Sequence, residues 1–331
     1  MSGLQRRALV MFCLGLGLAG CSVVHRVMER NGRALGERPR RAPGRRADPR
    51  VRGASLAITW VGHATTLIQL GDRYLLTDPV FTETVGQFSR RLVEPGIDAP
   101  DLPRIDGAVL SHLHFDHLSL GSLDLLEPTL GRLWVPPEAL VYLPRYSFPI
   151  REVEPWHTEL QDNLRITAVP VRHQGWRYGV DAAWMKRSYS GWVIQDEHHT
   201  VYFGGDTAYD PAIFAATKAH FPRIDVALLP IAPVEPPELT RPTHLDGAEA
   251  VQAFLDLGAQ VMIPIHYDTF AHGIDPPGYA IQALRRAMQA KGLTPERVQI
   301  LEVGETWVQA QPPRLVRTTS LAPVDGLVEA P

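Results

Sequence analysis

The chain has 331 residues, 45% hydrophobic and 21% charged, with a formal net charge of −3. That is the balance of a globular protein able to bury a sizeable core. The near-neutral total conceals two unlike parts: ten arginines crowd residues 26–52 against three acids, whereas 21 basic face 33 acidic side chains from Gly53 onward. So acidic a folded part speaks against a nucleic-acid surface.

The chain opens with MSGLQRRALVMFCLGLGLAGCSVV: Arg6 and Arg7, then an uncharged run over 8–20. The run has the length of a signal-peptide core and is short for a membrane span. Ending in Leu-Ala-Gly-Cys, it resembles a bacterial lipoprotein signal. The resemblance implies that residues 1–20 are removed and that Cys21 carries a diacylglyceryl group as the mature N-terminus. Ser22 is compatible with routing to the outer membrane, which implies a lipid-anchored protein of the cell envelope on the periplasmic face. With Cys13 inside the leader, the mature domain has no thiol, so any metal site there is built from His, Asp and Glu. Residues 21–53 are rich in Arg, Gly and Pro without apolar periodicity and read as a flexible tether, one whose charge suits anionic lipid headgroups.

A folded domain is expected over 54–308. Apolar runs predict strands at 58–61, 66–70, 74–77, 107–111, 132–135, 164–170, 189–195, 200–204, 225–230, 260–265 and 298–303. Helices are expected at 119–126, 137–142, 211–219, 245–257 and 277–291, the fourth capped by Thr243 and closed by Gly258. Strands dominate early and alternate with helices later, which suggests stacked sheets covered by helices. The Pro-rich tail over 309–331 reads as disordered.

Several of these strands end in a residue able to bind metal. VLSHLHFDHLSL carries His112, His114, Asp116 and His117 within six positions; later runs end at His173, Asp206 and His266. Polar groups this dense beside apolar strands need a shared partner, and neighbouring strand ends converge on one rim. His112, His114 and His173 can make one site, Asp116, His117 and His266 a second, with Asp206 bridging. Imidazole and carboxylate donors suit zinc, and also iron or manganese. Two metals so close can share a hydroxide, a nucleophile at neutral pH.

The motif His112-x-His114-x-Asp116-His117, followed in order by His173, Asp206 and His266, resembles the metallo-β-lactamase-fold hydrolase superfamily over about residues 58–308. The resemblance implies an α/β fold, a four-layer αβ/βα sandwich, with two zinc ions at the sheet edges held by those seven residues. TWVGHATTLIQL, LTDPVF, GGDTAYDPAIF, THLDGAEAV and PIHYDTF look most like the N-acylphosphatidylethanolamine-hydrolysing phospholipase D branch. This implies a phosphodiesterase acting on N-acyl phospholipids, with Asp116 and Asp206 orienting the hydroxide. His244 would lie near the phosphate, stabilising an oxyanion or protonating the leaving alcohol. Asp78 is expected to steady the ligand loop rather than bind metal. His63 reads as a turn or core histidine. Trp176, Tyr178, Trp184 and Trp192 suit either an acyl groove or core packing. Other expectations weighed are a lactonase or another ester hydrolase of the same superfamily, or a metal-holding envelope protein without catalysis.

Overall fold

The computed structural model describes residues 25–86, 89–271 and 273–310. The leader, Cys21 and the tail from residue 311 lie outside them. Helix α1 (25–36) leads to a strap along the body. There follow β1 (Leu56–Gly62), β2 (Thr65–Leu70), β3 (Arg73–Thr77), β4 (Thr84–Val85), β5 (Ser89–Arg90), β6 (Gly107–Val109), α2 (Leu120–Leu126), β7 (Leu133–Val135) and β8 (Ile150–Glu152). The second half runs β9 (Thr158–Gln161), β10 (Leu164–Val169), β11 (Gly191–Gln195), β12 (Thr200–Phe203), α3 (Pro211–His220), β13 (Val226–Pro230), α4 (Pro237–Thr240), α5 (Gly247–Leu257), β14 (Val261–Ile265), α6 (Tyr279–Lys291) and β15 (Thr306–Val308).

The strands form a seven-stranded sheet in the order β15-β1-β2-β3-β6-β7-β8 and a six-stranded sheet in the order β14-β13-β12-β11-β10-β9. Alternation at period two decides which layer each side chain joins. In β1, Ile58 and Trp60 face a core shared with the second sheet, and Val61 faces a separate core containing Leu123 and Leu126 of α2. In β7, Trp134 lies in the shared core and Leu133 and Val135 in the other. The middle of the second sheet is buried on both faces, as its continuous apolar runs require: β12 and β13 are wholly buried, and Phe214 of α3 and Phe254 of α5 join the shared core. The result is two packed sheets flanked by helices, as expected.

Local expectations differ in places. Helix α5 is capped by Asp246, not Thr243, in a reciprocal capping box with Glu249, and Gly258 closes it at φ 65°. The expected helix over 137–142 is a single 3₁₀ turn, Ala139–Tyr142. Residues 298–303 form no strand; beyond a turn at Gly304 (φ 92°), Thr306–Val308 pairs with β1 instead.

The larger departure is the Arg-rich segment. From residue 25 it is docked on the body rather than hanging free. Arg40 bridges Val93 through the main chain, Gly44 N donates to Val303 O at 2.9 Å, and Arg46 N donates to Gly96 O at 2.9 Å. Ala42 is buried in the shared core. Arg45 pairs with Glu94 at 2.8 Å and with Asp98. Gly44 and Gly304 approach so closely that a Cβ on Gly44 would stand 2.7 Å from the backbone of Gly304. Backbone pairing, invisible to apolar periodicity, holds this strap. Among the described residues no helix is long and apolar enough to cross a membrane.

Candidate metal centre

Each ligand-type residue follows the end of a strand. His63 follows β1, Asp78 follows β3, and 112–117 lie on the loop after β6. His173 follows β10, Asp206 follows β12 and His266 follows β14. β3 and β6 are parallel, as are β12, β13 and β14, so their C-terminal ends open on the same rims. The conformations there are tight. His63 and His266 stand at φ 56° and 66°, locked together by His266 N donating to His63 O at 2.9 Å. Gly205, at φ 56°, lies where a Cβ would come within 2.3 Å of the Ser111 side chain.

The side chains converge in two overlapping clusters. In one, His112 Nε2 lies 2.7 Å from His114 Nδ1 and 3.2 Å from His173 Nε2. In the other, Asp116 Oδ2 lies 2.9 Å from His63 Nε2 and 3.5 Å from Nε2 of both His117 and His266. Asp206 stands between them, its carboxylate 3.4 Å from His117, 3.2 Å from His266, 3.1 Å from His244 and 4.0 Å from His173. Ligand atoms of His112, His114 and His173 all lie within 4.8 Å of one another, as do those of His63, Asp116, His117 and His266. All seven expected metal residues and His244 therefore meet in one place.

His63 meets them too. It does lie in a turn, as the sequence suggests, but the turn delivers its buried ring to Asp116 and against the His266 ring, 3.9 Å away. The available signal was its position directly after an apolar strand, shared with the other ligand-type residues.

Proton positions follow from the partners. His173 Nδ1 faces the carbonyl of Thr243 at 2.9 Å, and His266 Nδ1 that of Ala232 at 3.0 Å. A carbonyl only accepts, so both Nδ1 atoms carry the proton. Asp78 accepts from Ser111 N at 2.6 Å, from the Ser111 hydroxyl at 2.5 Å and from His117 Nδ1 at 2.5 Å. The Ser111 hydroxyl hydrogen is committed there, so its oxygen accepts from His112 Nδ1 at 2.9 Å. Four imidazoles thus turn Nε2 lone pairs inward, and His117 Nε2 is buried without a hydrogen bond. Lone pairs converging beside carboxylates are what a cation requires, and the Nδ1 contacts are the supports that fix a metal-binding imidazole. The residues fit two divalent metals.

The electrostatics agree. Burial, reinforced by neighbouring imidazoles, pushes His112 well below its ordinary range; burial likewise lowers His173 and His63, and brings His114 down to about 4. These rings are neutral donors at pH 7. Near the carboxylates burial is outweighed: Asp206 and Asp116 raise His117 and lift His266 to about 9, so these two rings hold a proton on Nε2 until a metal displaces it. Burial opposes ionisation of Asp206, yet His266, His117 and His244 hold it well below the carboxylate range.

His244 differs from the four. Its Nε2 lies 3.1 Å from Asp206, a carboxylate that only accepts, so Nε2 carries a proton there; its Nδ1 lies 2.9 Å from the Thr243 hydroxyl. Of the aromatic residues, Trp192 is core, bonded through Nε1 to Leu110 O. Trp176 stands edge-on to His114 at 4.4 Å, while Tyr178 and Trp184 are exposed.

A family model described as a beta-lactamase superfamily domain matches residues 73–267, more than half of the chain. An uncharacterized protein of Mycobacterium tuberculosis is 30% identical over 256 residues, covering 72% of this chain and 66% of the relative. N-acyl-phosphatidylethanolamine-hydrolyzing phospholipase D 1 of Caenorhabditis elegans is 28% identical over 236 residues, 66% of each chain. The matches thus span just under two thirds of these relatives' own length. Among solved structures, Igni18, a metallo hydrolase from the archaeon Ignicoccus hospitalis, shares the fold at a TM-score of 0.58, with 21% identity over 78% of this chain and 99% of that one. With that model matching more than half of its length, the chain belongs to the beta-lactamase superfamily domain family, and its fold is that of a metallo hydrolase.

Proposed function

We propose that the protein is a dinuclear, zinc-dependent phosphodiesterase that cleaves N-acyl phospholipids in the manner of a phospholipase D. The observation that carries this reading is the pairing of inward-facing lone pairs with one inward-facing proton donor. His112, His114 and His173 would hold one zinc, Asp116, His117 and His266 the other, with Asp206 shared. Bound there, the metals supply an activated water and offset the charge of the phosphate. Asp116 and Asp206 would accept hydrogen bonds from a water bound there and orient it. His244 offers Nε2–H to a phosphate oxygen or to the departing alkoxide. His63 holds Asp116 from behind. The likeness to the C. elegans phospholipase supports this substrate class, as does anchoring: we further propose that Cys21 is lipidated and keeps the protein on the periplasmic face of the outer membrane.

Hydrolysis of bis-p-nitrophenyl phosphate with and without added zinc tests the reaction. Zinc-dependent turnover is expected, together with cleavage of an N-acyl phospholipid in preference to a lactone panel. Bound zinc without phosphodiester turnover would overturn the reading, and turnover of lactones alone would move the protein to a lactonase.

A further inference from the structure

Five exposed large hydrophobic side chains gather beside the metal centre on two adjoining segments. Leu140 and Val141 (70% exposed) lie on the 3₁₀ turn before Tyr142, and Tyr178, Val180 (76%) and Trp184 (61%) on the loop after His173. The two segments are joined by the Tyr142 hydroxyl donating to Asp181 at 2.7 Å and by the rings of Tyr142 and Tyr178, 5.6 Å apart.

The acids beside this face are engaged: Glu138 and Glu154 pair with Arg187, and Glu152 accepts from Leu140 N. Between Arg172 and Arg187 the sequence holds a single acid, Asp181. It is buried, accepting from the backbone N–H of Arg177 and Tyr178 at 2.8 Å each as well as from Tyr142. The loop thus shows solvent Tyr, Val and Trp with Arg172 and Lys186 exposed at its flanks. An aromatic and aliphatic tip flanked by cations is the composition that settles at a membrane–water interface.

The loop is also tied to the ligand segment. Arg177 is buried and donates to the carbonyls of Leu113 and Leu118 at 2.9 and 3.0 Å, with its guanidinium 4.4 Å over the ring of Phe115. Arg30 of α1 bonds to Asp275 O, in the segment following His266.

We propose that this face docks on a phospholipid bilayer: Tyr178, Val180 and Trp184, with Leu140 and Val141, enter the headgroup region and seat the metal centre against the lipid surface. The inference rests on the lipid-substrate reading above and adds the partner surface.

The test uses the full chain with vesicles of phosphatidylethanolamine and phosphatidylglycerol that contain N-acylphosphatidylethanolamine, some carrying brominated acyl chains. Tryptophan fluorescence of the wild type is expected to be quenched by bromine, and Trp184→Phe to remove most of that quenching. The pair Val180→Asp and Trp184→Asp is expected to lower cleavage of vesicle phospholipid roughly tenfold or more, by loss of interfacial burial. Turnover of soluble bis-p-nitrophenyl phosphate should stay within about twofold, because neither side chain belongs to the metal cluster. Equal quenching in Trp184→Phe overturns the proposal, as does a dimer that dissociates in the double variant, which would assign the face to a second copy. If no phosphodiester is cleaved by any form, the proposed reaction fails while the quenching still decides the docking.

Discussion

Asp78 touches no inward-facing ligand atom, yet its replacement by asparagine should release metal. The carboxylate is fully buried and accepts three hydrogen bonds, two from Ser111 and one from His117 Nδ1. In Asp78→Asn, Oδ1 still accepts from Ser111 N, but an NH₂ group replaces Oδ2 and meets His117 Nδ1–H donor to donor. His117 relieves the clash by moving its proton to Nε2, which removes the lone pair turned toward Asp116 and Asp206. Loss of such a support lowers metal affinity by about 10- to 100-fold, or roughly 1.4–2.7 kcal/mol. Asp78→Ala differs in kind: it leaves the Ser111 N–H and the His117 Nδ1–H buried without acceptors, at about 1–3 kcal/mol each, so folding suffers as well. Competition with a chromophoric chelator gives the zinc affinity, and urea denaturation of the chelated proteins gives stability. Wild-type zinc affinity in Asp78→Asn would refute the assignment of the His117 proton to Nδ1. An Asp78→Asn as unstable as Asp78→Ala would refute the claim that one acceptor suffices for Ser111 N.

Gly205→Ala puts a methyl group against the Ser111 side chain at a positive φ. It should cost about 2–4 kcal/mol of stability and displace Asp206; a wild-type melting temperature with full activity would contradict the close approach. Burial opposes ionisation of Asp181, but the N–H groups of Arg177 and Tyr178 and the Tyr142 hydroxyl win, holding it below 3.8. A depressed acid stabilises the fold above its unfolded value and loses that contribution as pH falls. Urea midpoints of wild type and Asp181→Asn should therefore differ by a constant amount above about pH 5 and converge below about pH 4; a constant gap down to pH 3 would refute the linkage. His112→Ala should lose bound metal and turnover together, by metal analysis and kinetics on the same sample; full activity would remove His112 from the ligand set. Cys21→Ser should lose fatty-acid labelling, and labelling equal to the wild type would show the acyl group to be elsewhere.

The centre was legible from sequence because its residues sit where apolar strands stop, and strand ends of parallel neighbours share a rim. His63 escaped because a histidine in a Gly-His-Ala-Thr turn satisfies a local explanation. What makes it part of the centre is distant in sequence: Thr269 Oγ1 accepting from its N–H at 2.7 Å, and His266 N donating to its carbonyl. The strap over 38–50 was unreadable for a related reason. Its contacts are main-chain bonds and Arg–acid pairs to residues far along the chain, which leave no hydrophobic pattern. Helix α5 shows the reverse, since Asp246 and Glu249 carry a full capping signature that outweighs Thr243 three residues earlier.

The two clusters do not divide between the two sheets. His112 and His114 come from the seven-stranded sheet and meet His173 from the six-stranded one; His63, Asp116 and His117 likewise meet His266 across the same divide. A metal held by either cluster would therefore clasp the seam where the sheets abut, with Asp206 within reach of both clusters. Parting the sheets at this end and letting a metal go are one event, so zinc should raise the melting temperature as it restores activity. Metal content in this protein reports whether the seam is closed as much as whether the chemistry is armed.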